Sequence, residues 1–442
     1  MRMPDLIDRK KRGGVHAAAE LDYIIQEYMA GNIPDYQISA WLMAIWFQGL
    51  NPAETVQLTL AMAHSGQILD LSGIEGVKVD KHSTGGVADT TTLIVAPLVA
   101  AAGVKVAKMA GRGLGFTGGT IDKLESIPGF RTGLSTTEFV EQVRRVGLAI
   151  VGQTADLAPA DGKIYALRDV TATVDSLPLI AASVMSKKLA AGADKILLDV
   201  KFGSGAFMKS LDHAKELARL MVDIGGSAGR QTAAVVTNMS EPLGTAIGNS
   251  LEVLEALEVL SGSGDRRLRD FCLFLAVRLL VLANPALGMA AATTALSDKL
   301  QSGAALAKFQ EFITAQGGDG RVATEPDRLG RAACSQEICA DRAGYVIRLD
   351  AARLGQAAIL LGAGRVRKSD AIDLQAGIRL RRRCGEYVRN GDLLATLFYR
   401  SGIDPAPARR AVESAIELGE QPPATVPLIA GIMDEAGWRE VQ

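Results

Sequence analysis

The sequence predicts an α/β protein with a helical lobe built from two chain segments, a mixed, mainly parallel α/β lobe and a small β-rich (α+β) C-terminal domain. Three observations predict it. Apolar residues recur at helical spacing through the first 65 residues. From residue 77, short apolar runs alternate with helical stretches, the pattern of a parallel sheet. From about residue 335, short runs are punctuated by Gly, Asn and Asp turns. At 442 residues the chain exceeds one ordinary core, so two or three domains are expected.

The elements follow in order. Pro34 and Asp35 open a helix carrying Ile38, Trp41, Leu42 and Ile45 at helical spacing. Asn51 caps the next, with Pro52 at its first position, Glu54 at its third and Gly66 at its end. Trp41 and Trp46 make this an apolar helix pair, suited to an internal core or to a subunit interface. V-K-V-D at 77–80 reads as a strand, V-A-P-L-V-A-A-A as part of a helix stopped by Gly103, and V-K-V-A-K-M-A as a second strand. G-R-G-L-G-F-T-G-G-T is a glycine loop before another helix. Further strands are expected at 148–151, 195–200 and 233–237. Residues 162–193 interrupt the alternation with a helical stretch that returns to the N-terminal helices. The expected domains are therefore 1–65 with 162–193, 66–161 with 194–334, and 335–442.

Composition narrows the function. The net charge of -1 gives no global pull toward nucleic acid or anionic membrane, so any useful positive charge is local. The basic run Arg379, Arg381, Arg382 and Arg383 reads as a solvated face. No stretch reaches the ~18 apolar residues of a membrane span. Cys272, Cys334, Cys339 and Cys384 lack zinc-ligand spacing, and the N-terminus lacks a signal-peptide core, so a reduced, cytoplasmic protein is expected.

Two strand–loop–helix junctions carry the chemistry. K-H-S-T-G-G and K-M-A-G-R-G-L-G-F-T-G-G-T each follow a strand and precede a helix, which brings both to one edge of a parallel sheet. Glycines and free N–H groups at helix starts favour an oxyanion. Lys81, Lys108 and Arg112 add charge, and Ser83, Thr92 and Thr120 add hydroxyls. His82, between Lys81 and Ser83, reads as a donor at this site. In S-L-P-L-I-A-A-S-V-M-S-K-K-L, Ser176 reads as a cap, and Ile180, Ser183, Val184 and Lys187 share one helix face. The spacing fits a polar cluster there, or lysines that simply mark the helix C-terminus. Arg168 lies just upstream.

These motifs, with Y-A-L-R-D-V-T-A-T-V-D-S-L-P-L-I, resemble the pyrimidine nucleoside and thymidine phosphorylases, from D-L-I-D-R-K-K-R-G-G to the β-rich C-terminus. The resemblance implies reversible phosphorolysis of nucleosides such as uridine, thymidine and deoxyuridine to base and pentose 1-phosphate. It implies Lys81, Ser83, Thr92, Lys108, Ala110 and Thr120 at phosphate. It implies Arg168, Ser183, Lys187, Leu114, Tyr165 and Ile180 around the base, with His82 near the base O2. It implies no organic cofactor, and in some members a potassium ion, at Ala88, Thr90, Leu243, Ala246 and Glu255, the first, third and fourth through carbonyls. It also implies a homodimer through the N-terminal helices.

The chemistry agrees with the implied roles. As the sugar becomes oxocarbenium-like, negative charge grows on the base, and donors aimed at that charge stabilise the transition state over the ground state. Arg168 and Lys187 supply that field, Ser183 donates or accepts at N3, and His82 protonates or hydrogen-bonds O2. The chain departs from the family at Ala110 and Phe116, where serine and histidine are usual, and at Ala88, where glycine is usual. Two other readings are a phosphoribosyltransferase of similar two-lobe plan and a non-catalytic nucleoside-binding relative.

Overall fold

The computed structural model describes residues 1–113, 115–153, 156–365 and 370–441. Four helices open the chain: α1 (Met3–Lys11), α2 (Ala18–Met29), α3 (Asp35–Gln48) and α4 (Pro52–Ala63). The α4 start is the expected capping box: Asn51 Oδ1 accepts from the Glu54 N–H and Glu54 Oε2 from the Asn51 N–H, both at 2.9 Å. That helix stops at Ala63, three residues before Gly66.

The central lobe runs β1 (Lys78–Ser83), α5 (Thr91–Ala101), β2 (Lys105–Ala110), α6 (Thr120–Glu125), α7 (Thr136–Val146) and β3 (Leu148–Gly152). The helical insert follows as α8 (Pro159–Val170) and α9 (Leu177–Ala190). Ser176 precedes α9 but makes no side-chain cap bond. Ala160, Ile164, Leu179 and Ala182 of this insert share one apolar core with Leu21, Ile24, Trp41 and Leu58, so two distant segments fill one lobe. The other side of α9 packs, with Ala63, on Ile196, Leu198 and Val200 of the sheet. This helix therefore touches both lobes.

The chain resumes with β4 (Lys195–Phe202), α10 (Leu211–Ser227), β5 (Gln231–Asn238), β6 (Ala246–Ile247), α11 (Asn249–Leu260), α12 (Arg266–Ala283), α13 (Met289–Gln301) and α14 (Ala304–Ala315). The last region holds β7 (Cys334–Cys339), β8 (Gly344–Leu349), α15 (Ala351–Leu360), β9 (Gly377–Leu380), β10 (Tyr387–Val388), β11 (Leu393–Tyr399), α16 (Ala406–Ala415), β12 (Ile416–Gly419), β13 (Ile429–Asp434) and β14 (Gly437–Glu440).

The central sheet has the order β14-β13-β5-β4-β1-β2-β3. From β5 to β3 all pairs are parallel; β13 and β14 are antiparallel additions. The expected C-terminal boundary therefore needs correcting. Residues 335–442 do not form one separate unit, because β13 leaves the small domain and pairs with β5, burying Ile432 and Met433. Pairing satisfies the exposed edge of β5, which a local reading of the strand does not reveal. The small domain itself has one sheet ordered β10-β8-β12 and another ordered β6-β9-β11-β7, the second borrowing β6 from the central lobe. Of the basic run, Arg379 pairs with Glu258 at 2.6 Å and Arg383 with Asp265 at 2.9 Å. Among the described residues no helix is long and apolar enough to cross a membrane, and the four cysteines are free.

Candidate active site

The strand β1 runs further than V-K-V-D. Lys81, His82 and Ser83 stay in register with Leu197, Leu198 and Asp199 of β4, so the anion motif begins inside a strand and only T-G-G is loop. Its side chains are already engaged. The Lys81 ammonium donates to the Thr91 hydroxyl and lies 3.4 Å from Asp199 Oδ2. The Ser83 hydroxyl donates to Asp89, and the Gly85 N–H donates to Ser83 Oγ at 3.3 Å. Asp199 also meets Lys201 at 2.9 Å, and Lys201 meets Asp89 at 3.8 Å. Burial raises the Asp89 carboxyl, but Lys201, Lys81 and Lys123 outweigh that and hold it well below the usual range.

The second junction closes on the first. Lys108 is buried, donating to the Lys81 carbonyl and lying 3.4 Å from Asp80 Oδ1. Burial pushes its ammonium down to about 7, against the pull of Asp80. Ala110 ends β2 opposite Gly152, and Thr92 and Thr120 stand in the first turns of α5 and α6. In the glycine loop, a Cβ on Gly119 would sit 2.0 Å from the Gly113 nitrogen, so only glycine allows the loop to fold against itself. Asp122 pins that nitrogen at 2.7 Å. Arg112, expected to add charge for an anion, is instead committed to Asp122 at 2.9 Å and Glu125 at 2.6 Å. Phe116 packs against the core of the small domain, with Lys209 over its ring. Leu114 lies outside the described residues.

On the helical side, Lys187 Nζ donates to Ser183 Oγ at 3.0 Å, one turn away, and to Asp161 Oδ2 at 2.5 Å. Lys187 is thus part of a polar cluster rather than only a helix-end cation; Ser183 accepts from it and keeps its own O–H to donate. Arg168 is buried, and its guanidinium is spread over three carbonyls, Thr173 at 3.2 Å, Val174 at 2.6 Å and Leu179 at 3.0 Å. Three of its five N–H bonds brace the α8–α9 turn, so it is both a clamp and a donor. Trp41, Leu42, Leu58, Met62 and Ile164 line the pocket shared by Asp161, Arg168 and Ser183. Tyr165 stacks near Arg168, with the guanidinium 5.8 Å from the ring centre, and Ile180 packs half-buried between helix and sheet.

His82 lies under the influence of both clusters. Burial, then Lys188, Lys108, Lys81 and Lys187, push its imidazolium well below 6.5, so the ring is neutral at pH 7. A neutral ring carries one N–H that can donate a hydrogen bond and one nitrogen that can accept.

Sequence reasoning missed the carboxylates. Asp161, Asp80 and Asp199 each hold a lysine of the site, Lys187, Lys108 and Lys81, and Asp89 accepts from Ser83. Two had a signal: Asp161 lies seven residues before Arg168 on one helix face, and Asp80 directly precedes Lys81.

Of the residues named for potassium, Ala246 meets Glu255 directly, whereas the Thr90 hydroxyl donates to Glu252 at 3.4 Å. Glu255 Oε1 accepts from Thr245 N at 2.6 Å, Thr245 Oγ1 at 2.7 Å and Ala246 N at 3.3 Å. Its Oε2 is buried with no hydrogen-bond partner, and burial pushes the carboxyl up to about 7. An orphaned carboxylate oxygen fits a monovalent cation. Ala88 fits less readily: its carbonyl accepts from Thr90 N at 3.2 Å and Gly244 N at 3.1 Å, and its φ of 55° is the left-handed region that glycine tolerates best.

Comparison with known proteins settles the family. The model for the glycosyl transferase family a/b domain matches residues 75–306, and the helical bundle domain of that family matches 4–66. The pyrimidine nucleoside phosphorylase C-terminal domain matches 345–419. A pyrimidine-nucleoside phosphorylase of Geobacillus stearothermophilus is 53% identical over 398 residues, 90% of this chain and 92% of that protein. The chain belongs to the pyrimidine-nucleoside phosphorylase family. A second member, from Bacillus subtilis (strain 168), is 52% identical over 410 residues, 92% of this chain and 95% of its own. Outside the family, the crystal structure of an anthranilate phosphoribosyltransferase from Thermus thermophilus superposes with a TM-score of 0.59 at 18% identity. It covers 70% of this chain and 98% of its own, and the likeness is one of fold alone.

Proposed function

We propose that this chain catalyses the reversible phosphorolysis of pyrimidine nucleosides, transferring the pentosyl group from the base to phosphate. The observation that carries the reading is that α9, which bears the Ser183–Lys187 pair, also sends Lys188 to Asp80 and to the Met109 carbonyl, beside the Lys81–Lys108 strand ends, in a chain of this family. Ser183, Lys187 and Arg168 address the charge that grows on the base, and His82 donates to its O2. Tyr165 and Ile180 flank the ring. Lys81, Ser83, Thr92, Lys108, Thr120 and the strand end at Ala110 receive phosphate, which needs placement and protection from water more than activation.

The test is direct: incubate the protein with uridine, thymidine or deoxyuridine, with and without phosphate, and follow free base. Base release that requires phosphate supports the reading. Release only with phosphoribosyl pyrophosphate would favour a phosphoribosyltransferase, and binding without turnover a non-catalytic relative. Ribo- and deoxyribonucleosides are both expected to react, and rejection of uridine would narrow the substrate class. The Lys108 ammonium spends two of its three N–H groups on the Lys81 carbonyl and Asp80, which leaves one for phosphate or a sugar hydroxyl.

Glu255, Thr90 and the carbonyls of Ala88, Leu243 and Ala246 would hold potassium, whose charge would neutralise Glu255 and tie α11 to the loop after β1. Potassium chloride should then raise the melting temperature over choline chloride at equal ionic strength, and Glu255→Ala should erase the difference. A cytoplasmic homodimer engaged in nucleoside salvage completes the proposal, with no role for nucleic acid or membrane.

A further inference from the structure

The strands β1 and β2 part at their C-terminal ends. They pair only through Lys78–Lys105 and Val79–Val106, although β1 stays laddered to β4 as far as Ser83 and β2 to β3 as far as Ala110. Two carbonyls facing this split are bound by ammonium groups instead of strand N–H groups. Lys108 Nζ donates to the Lys81 carbonyl, and Lys188 Nζ donates to the Met109 carbonyl at 2.7 Å. One carboxylate joins the two lysines: Asp80 Oδ1 is 3.4 Å from Lys108 Nζ and Oδ2 is 2.8 Å from Lys188 Nζ. All three side chains are at most 3% exposed. At that depth a carboxylate is costly without cations, and the two cations repel each other without it.

The charge around the split does not balance. Four lysines, Lys81, Lys108, Lys188 and Lys201, share three aspartates, Asp80, Asp89 and Asp199. Among the described residues of this network the lysines outnumber the aspartates by one, and Lys108 is held near 7, so a bound oxyanion would both complete the balance and keep the proton on Lys108.

We propose that Asp80 is a positioning residue for phosphate: its carboxylate gathers Lys108 and Lys188 into the split between β1 and β2, and so fixes the Lys108 ammonium and the Met109–Ala110 strand end on which phosphate is received. The inference rests on the phosphorolysis reading above. Asp80 touches no substrate in this scheme and acts only through its two lysines. Lys188 becomes more than a cation near a helix end: it links α9 of the base-binding lobe to the phosphate strand.

The electrostatics make the role separable from mere structural support. The charged groups facing Lys108 are Asp80 and Lys81 from β1 and Lys188 from α9; His82 beside them is neutral. Burial lowers the Lys108 ammonium to about 7; Asp80 opposes that fall, while Lys188 and Lys81 add to it. Removing Asp80 therefore drives the proton off Lys108 at lower pH, and removing Lys188 keeps it on to higher pH.

The experiment measures kcat/KM for phosphate at saturating nucleoside across pH, for wild type, Asp80→Asn and Lys188→Gln. Phosphate's own ionisation is common to all three and cancels in the comparison. Asp80→Asn should raise the phosphate KM about tenfold or more, with nucleoside KM within about threefold. Its alkaline limb should move down by about one pH unit, and that of Lys188→Gln should move up. Folded variants with an unmoved limb, or limbs that move the same way, would overturn the proposal. If Asp80→Asn fails to fold, Lys188→Gln decides alone, an upward shift supporting and an unmoved limb refuting. Wild-type base release that ignores phosphate would instead bring down the phosphorolysis reading, and this inference with it.

Discussion

Lys187 donates at once to Ser183 and to Asp161, whose side chain is 2% exposed, so removing it does two things. On the proposed reading it takes away charge stabilisation that matters mainly in the transition state, and it leaves a buried carboxylate unpaired. Lys187→Ala should cost ~10²–10³ in kcat. The stranded Asp161 should also cost about 1–3 kcal/mol of stability, visible as a lower melting temperature. Near-wild-type turnover in the folded variant would remove Lys187 from the site. Ala110 is the opposite case, a residue that withholds a group. It is 7% exposed at the end of β2, and its methyl cannot donate to phosphate. Ala110→Ser should lower the phosphate KM by roughly threefold to a hundredfold, since a hydrogen bond to a charged group contributes ~1.5–3 kcal/mol and a water recovers part of it. Phosphate saturation at excess nucleoside measures this; an unchanged or raised KM would show that the strand end is already complete.

At the scale of elements, α4 shows one residue serving two structures. Glu54 closes the capping box with Asn51, but its Oε1 also accepts from Lys10 Nζ at 2.7 Å and from the His16 N–H at 2.8 Å. It therefore ties α4 to α1 and to the turn before α2. Asn51→Ala should lose about 1 kcal/mol, the usual cost of a cap. Glu54→Ala strands the buried ammonium of Lys10 and should lose about 3–5 kcal/mol. Urea unfolding of the two variants tests the difference, and equal losses would reduce Glu54 to its capping role. A capping box is a local pattern, legible in the sequence. The Lys10 contact joins residues 44 apart and is not.

Across the whole molecule, the helical lobe exposes several large apolar side chains. Phe47 is 71% exposed and packs edge-on against Trp46, while Tyr36 and Val170 stand open on α3 and α8. Trp41 is fully buried, so the two tryptophans divide between core and surface as neither alone reveals. The proposed homodimer would cover these side chains. Light scattering should give twice the 46.5 kDa chain mass, and Phe47→Asp should shift the protein toward monomer. A wild type that runs as a monomer at micromolar concentration would discard the interface.

The sequence by itself determined the alternation of strand and helix, the α4 cap, the glycine loop and the two strand–loop–helix junctions. These depend on short-range periodicity and on motifs that stay contiguous along the chain. It also placed Ser183 and Lys187 together, because one helical turn is a local distance. Only the tertiary structure decided that β1 extends through Ser83, since its pairing with β4 outweighs the polar character of K-H-S. Only the fold returned β13 to the edge of β5 and spent Arg112 on Asp122 and Glu125. The contacts by which aspartates hold the site lysines belong to the same class, although Asp161 and Asp80 themselves stood near site residues in the sequence. Asp80 meets Lys188 across 108 residues, and the cost of burying either charge alone, which no local pattern records, is what brings them together.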